Sequence, residues 1–124
     1  MTQTYDYFKN IHNRNSFDNL GTVINSYYHY VQATNAYALT FFQFDLFSFG
    51  QGSLTYNANP FVLLEIVGHE FTHAVIRRNG NGGLNYQYES GAINESMADS
   101  FGKAVEFYSN VNPQWTVGEG IYIE

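Results

Sequence analysis

The chain has 124 residues, of which 44% are hydrophobic and 19% aromatic; that is ample for a core and unlike a disordered chain. Five Lys+Arg against 11 Asp+Glu give a net charge of −6, which excludes the basic footprint of a nucleic-acid binder or of a protein drawn to an anionic membrane. The absence of cysteine removes disulfide scaffolds, thiol nucleophiles and Cys-based zinc sites together.

Residues 1–10 read as the tail of a helix, with Tyr5, Phe8 and Ile11 on one side. Asn13 to Gly21 is rich in Asn, Ser, Asp and Gly and reads as loop. Thr22 to Val31 carries the β-branched and aromatic content of a strand. Ala38 to Phe49 is dense in aromatics and predicts one long strand or a hairpin, and Gly50-Gln51-Gly52-Ser53 turns the chain. Asn59 suits an N-cap and Pro60 the first helical position, which predicts a helix over 61–78. Arg77 and Arg78 complement its C-terminal dipole, and Asn79-Gly80 stops it. Residues 80–83 form a glycine-rich connector. A second helix is predicted from about Ser90 to Tyr108, with Ile93, Met97, Phe101, Ala104 and Tyr108 as its apolar stripe. Asn112-Pro113 ends it, and Trp115 to Glu124 reads as extended. No apolar run reaches the roughly 18 residues of a membrane span. The first six residues lack the basic start and apolar stretch of a signal peptide. The expected fold class is α+β: a strand-rich part over about 1–58, then a two-helix metal-binding part over 59–124.

The first of these helices carries His69-Glu70-Phe71-Thr72-His73. Side chains four apart share one helical face, so two imidazoles can reach one ion at about 2.0–2.1 Å. Glu70 is offset by about 100° and lies beside the metal, which suits a carboxylate that takes a proton from water. A catalytic zinc needs a third protein ligand and one open position. His12, His29 and the acidic residues are the candidates. Three ligands from one straight helix surround an ion poorly, which disfavours Glu65. Glu95, early in the second helix, fits better. Asp99, one turn further on, can then take the outer N–H of a liganding imidazole.

If the two helices pack antiparallel, Glu106 and Glu65 fall at similar depth, about 12–16 Å from the zinc end at 1.5 Å per residue. Two carboxylates meeting there would call for a cation such as calcium, with Glu119 and Gln114 completing the oxygens. Two independent surface glutamates fit the sequence equally well. Asn94-Glu95-Ser96 matches a glycosylation sequon, but inside this helix the match reads as chance. His12 and His29 read as structural or surface residues.

These motifs together are recognisable. EIVGHEFTHAV (65–75), YQYESGAINESMADSFGKAVEFY (86–108) and NPQWTVGEGIY (112–122) resemble the thermolysin-like zinc metalloproteases, the secreted bacterial neutral proteases, as do YDYFKNIHNRNSFDN (5–19) and Asn35-Ala36-Tyr37. The resemblance covers nearly the whole chain. It implies a zincin-like fold of the thermolysin N-terminal type and cleavage of polypeptide substrates. His69, His73 and Glu95 would be the zinc ligands and Glu70 the base. Asp99 would support a ligand, Tyr86 would bind the carbonyl oxygen in the transition state, and Asn35 and Ala36 would hold the substrate backbone. Glu65, Glu106, Gln114 and Glu119 fall at the family's calcium positions, with Gln114 and Glu65 in place of the usual aspartates. Ala38 replaces an aromatic beside the substrate strand. The family's helical C-terminal domain, with its second catalytic histidine, is expected to lie outside these residues. The chain therefore reads as a central fragment, and a zinc-binding piece with little catalysis is the competing reading.

Overall fold

Aromatic rings from three helices and a small sheet meet around one seam, and that seam sets the position of everything else. The computed structural model describes residues 1–29, 34–41, 44–80, 82–109 and 112–122. Within them the order is α1 (Thr2–His12), β1 (Asn25–Tyr28), β2 (Ala36–Phe41), β3 (Phe44–Phe49), α2 (Leu64–Arg77) and α3 (Tyr88–Tyr108).

The opening helix forms as predicted, but its buried side is Thr4, Tyr7 and Phe8. Ile11 is exposed, and the Tyr5 hydroxyl donates to Asn15 Oδ1 at 2.9 Å. The helix ends where Asn13 turns left-handed at φ 50°, a conformation asparagine tolerates better than most residues. The loop after it is held by its own polar side chains. Ser16 Oγ donates to the Thr22 carbonyl, and the Leu20 amide donates to Asp18.

The sheet order is β1-β3-β2. β3 pairs parallel with β1 and antiparallel with β2. The aromatic run 38–49 is therefore divided between two antiparallel strands, and residues 42 and 43 lie outside the described residues. The strand expected over 22–31 is shorter, since β1 covers only Asn25–Tyr28 and residues 30 and 31 lie outside the described set. β3 is the central strand and carries the buried rings of Phe47 and Phe49. β2 keeps one side of its backbone open toward α2.

Phe71, between the two histidines of α2, is fully buried. Its ring stacks on Phe47 at 5.8 Å and meets Phe8 at 5.0 Å; such aromatic pairs contribute about 0.5–1.5 kcal/mol each beyond burial. Val67 and Ala74 flank it in the core. The helix thus rotates its apolar side into the seam and turns His69, Glu70 and His73 to the other side.

Two helix expectations need correction. α2 begins at Leu64 and not at Phe61. Asn59 caps no helix: its amide N–H reaches the Ile121 carbonyl at 2.6 Å and its side chain the Gly120 carbonyl at 2.8 Å. A tertiary contact has claimed the group that local pattern assigned to a cap. In α3 the buried positions are Asn94, Ala98, Gly102, Lys103 and Val105, while Ile93 and Met97 are exposed. The packed face is thus one residue out of phase with the apolar stripe, because small and polar residues line the contact with α2. Gly68 and Gly102 make that contact close. A Cβ on Gly102 would lie 2.4 Å from the Glu65 carbonyl oxygen, and one on Gly68 would lie 3.0 Å from the Gly102 Cα. The helices run antiparallel: Glu65 meets Gly102, while His73 meets Asn94.

The tail is also different from expectation. Residues 112–122 form bends and turns, with one bridge from Tyr122 to Ala58, and residues 123–124 lie outside the described set. Among the described residues no helix is long and apolar enough to cross a membrane.

Candidate metal centre and cleft

The antiparallel packing of α2 and α3 brings three ligand atoms together. His69 Nε2 lies 2.9 Å from His73 Nε2. Glu95 Oε2 is 3.3 Å from His69 Nε2, and its Oε1 is 3.6 Å from His73 Nε2. Among the described residues this is the one group of three or more His, Cys, Asp or Glu side chains whose ligand atoms lie within 4.8 Å of one another.

The outer ring nitrogens are both in use. His69 Nδ1 bonds Asp99 Oδ1 at 2.8 Å, and His73 Nδ1 bonds Asn94 Oδ1 at 2.7 Å. A carboxylate and an amide oxygen only accept, so in each ring Nδ1 carries the proton. In the neutral rings both Nε2 lone pairs then face each other and the Glu95 carboxylate. Burial holds His73 below its ordinary pKa, and the charge of His69 lowers it further against Asn94 and Glu95, which favours the neutral ring. Electron pairs converging with no proton among them repel unless a cation joins them. Two imidazoles and one carboxylate suit zinc, whereas calcium prefers oxygen throughout. The residues present therefore fit the metal that the sequence predicts.

Glu70 is buried beside this group. Burial raises its pKa to about 7. The neighbouring Glu95 raises it too, while His69, the Ala38 backbone amide and Arg77 pull it down. A carboxyl near neutrality can both accept and return a proton at working pH.

These side chains line a cleft of about 460 Å³ whose opposite wall is β2. Asn35, Ala36 and Ala38 stand on that wall, with Arg77, Tyr86 and Asn94 on the helical side. Tyr86 is exposed, and its ring stands 6.1 Å from that of His73 at 76°. Asn35 Oδ1 accepts the Ala36 amide at 2.9 Å.

The carboxylates at the other end of the helix pair are occupied otherwise. Glu65, 6% exposed, accepts the Gly118 amide at 3.2 Å. Glu106 pairs with the buried ammonium of Lys103. Gln114 and Glu119 are exposed. His12 bonds the Tyr7 hydroxyl at 3.0 Å and packs on Phe101, while His29 is exposed, away from the cleft.

Sequence reasoning missed Asn94, whose neighbour Glu95 took the attention and whose sequon context looked accidental. Its side chain is buried and bonded to His73, in keeping with the chance reading of that sequon. It also assigned Arg77 and Arg78 only to a helix end, whereas both reach the fully buried Asp45 of β3, at 3.0 and 2.7 Å. Opposite charges 32 and 33 residues apart leave no local pattern to read.

Fold and site together define a histidine–histidine–glutamate group that could hold a metal ion. The family model described as "Thermolysin metallopeptidase, catalytic domain" matches residues 1–77, and "Thermolysin metallopeptidase, alpha-helical domain" matches residues 82–124. The chain belongs to the thermolysin family of metallopeptidases. It is 43% identical over 122 residues to a bacillolysin of Bacillus caldolyticus, covering 95% of this chain and 21% of that protein. A bacillolysin of Brevibacillus brevis is 45% identical over 120 residues, covering 97% and 21%. The solved structure of the precursor of protealysin from Serratia proteamaculans superposes with a TM-score of 0.81 at 32% identity, covering 97% of this chain and 37% of that one. The chain thus spans about a fifth of the length of the curated relatives it matches. The helical-domain match from residue 82 corrects one expectation: that domain's opening stretch, including α3 and Glu95, lies inside this chain.

Proposed function

We propose that this chain forms the zinc-binding half-cleft of an endopeptidase that hydrolyses peptide bonds with a glutamate as general base. One observation carries the reading: two imidazoles and a carboxylate converge, each ring held from behind, next to a buried glutamate and an open strand edge. His69, His73 and Glu95 would hold the zinc, with Asp99 and Asn94 fixing the rings. Zinc, when bound, would polarise the scissile carbonyl and acidify water. Glu70 takes the proton from the attacking water and returns it to the leaving amine. The Tyr86 hydroxyl donates to the carbonyl oxygen as charge grows there, a contribution typically worth about 2.7–4 kcal/mol. The β2 edge, at Asn35 and Ala36, pairs with the backbone of an extended polypeptide. Export from the cell belongs to the same reading.

The reading stops at zinc. A calcium ion on Glu65, Glu106, Gln114 and Glu119 would have to displace Lys103 from Glu106 and the Gly118 amide from Glu65.

The test is zinc stoichiometry by elemental analysis together with a protein-digestion assay. Glu70→Gln is expected to keep bound zinc and abolish cleavage; retained cleavage removes Glu70 as the base. A second reading, zinc binding with little catalysis, is favoured by a cleft that the described residues line with Asn35 and β2 on one side and the helical segment on the other. Full zinc occupancy without digestion would establish it.

A further inference from the structure

The Asp45 pair lies outside the metal ligands, yet it reaches the cleft. Asp45 is fully buried on β3 and carries Arg77 on Oδ1 and Arg78 on Oδ2. Arg77 lines the cleft, and its Nη2 donates to the Ala38 carbonyl at 3.4 Å. The amide of the same residue, Ala38, faces Glu70 and holds its pKa down. One residue of the open strand therefore turns its N–H toward Glu70 and is held at its C=O by an arginine anchored in the core. Strand geometry makes this possible. The Asn35 carbonyl accepts from the Gly50 amide on the β3 side at 2.9 Å, so the alternation of a strand turns the backbone groups of Ala36 and Ala38 outward, to the cleft. A planar guanidinium can bridge a carboxylate and a carbonyl at once; an ammonium is a single point of charge.

We propose that Asp45, acting through Arg77, is a positioning residue that fixes the open strand β2 against Glu70, so that a peptide lying on the strand is presented to the base. The part concerning presentation of a peptide rests on the peptidase reading; the pinning of Ala38 does not.

The experiment compares the zinc-loaded chain with its Arg77→Lys and Asp45→Asn variants. Arg77→Lys keeps a cation against Asp45 and gives up the bridge to Ala38, so it preserves the fold if Asp45→Asn does not. Amide hydrogen exchange read by NMR should quicken at Ala38 by tenfold or more in Arg77→Lys, while the amide of Phe47 on the central strand stays within twofold. With a short peptide substrate, kcat should fall tenfold or more at unchanged zinc stoichiometry, an effect that a purely structural ion pair would not show. Exchange at Ala38 within twofold of the parent overturns the proposal. A parent chain that holds zinc but cleaves nothing rejects the peptidase reading, and the exchange result then decides the pinning by itself.

Discussion

The two ends of the α2–α3 pair have similar ingredients and opposite chemistry. At one end His69, His73 and Glu95 converge with both ring N–H groups turned away. At the other, Glu65 and Glu106 each already face a donor, the Gly118 amide and the Lys103 ammonium. Both ends hold carboxylates near helix backbones, and the close approach at Gly68 and Gly102 lies between them. What separates them is whether the fold itself supplies the positive partner. Where it does, a carboxylate is a structural group. Where it does not, the convergence of lone pairs costs stability until a cation arrives, and that cost is what makes a metal site legible in a structure.

The sharpest way to break this contrast is Glu95→Ala. It should weaken zinc binding by more than about 100-fold, beyond the 10–100-fold typical of supporting residues; unchanged stoichiometry by elemental analysis would put Glu95 outside the ligand set.

Metal-free stability against pH is next. Glu70 has a folded pKa of about 7 against an ordinary 4.5, so the fold favours its protonated form. That contribution is fully present below pH 4.5 and is lost as pH rises through 7, about 3 kcal/mol in all. Denaturant melts of the metal-free chain and of Glu70→Gln should therefore diverge between pH 5 and 8, the variant gaining relative stability. Parallel curves would mean that the carboxyl is not buried as described.

Asn94→Ala tests the hold on His73 from behind and should cost about 10–100-fold in zinc affinity while leaving helix content unchanged by circular dichroism. An affinity within twofold of the parent would show that His73 needs no such support.

The smallest effect belongs to the other end. Millimolar calcium should leave the parent Tm in place, because Lys103 already serves Glu106. Lys103→Met removes that ammonium and should create a calcium response of roughly 4 °C, the size expected for about 1 kcal/mol of ligand binding. A parent chain that itself gains several degrees in calcium would erase the distinction between the two ends.

Local repetition explains what could be read in advance. Residues four apart meet on any helix, so His69 and His73 declare themselves as soon as the segment is helical, and Glu70 follows by its angular offset. Glu95 and Asp99 needed one further assumption, that a second helix lies alongside. The strand character of 38–49 was legible from its aromatic density, while its division into two antiparallel strands was left open. The start of α2 was not, because Asn59 is drawn to Gly120 and Ile121, more than sixty residues later.

The sequence by itself determined that His69 and His73 share one face of α2 and that Glu70 stands between them, since each depends only on neighbours within one or two turns. The tertiary structure alone decided which face of α3 is buried, that Asn94 supports His73, that Lys103 serves Glu106, and that Asp45 ties Arg77 to the cleft. Those are contacts between distant segments, fixed by how closely two backbones approach at Gly68 and Gly102 and by which polar group each approach leaves without water.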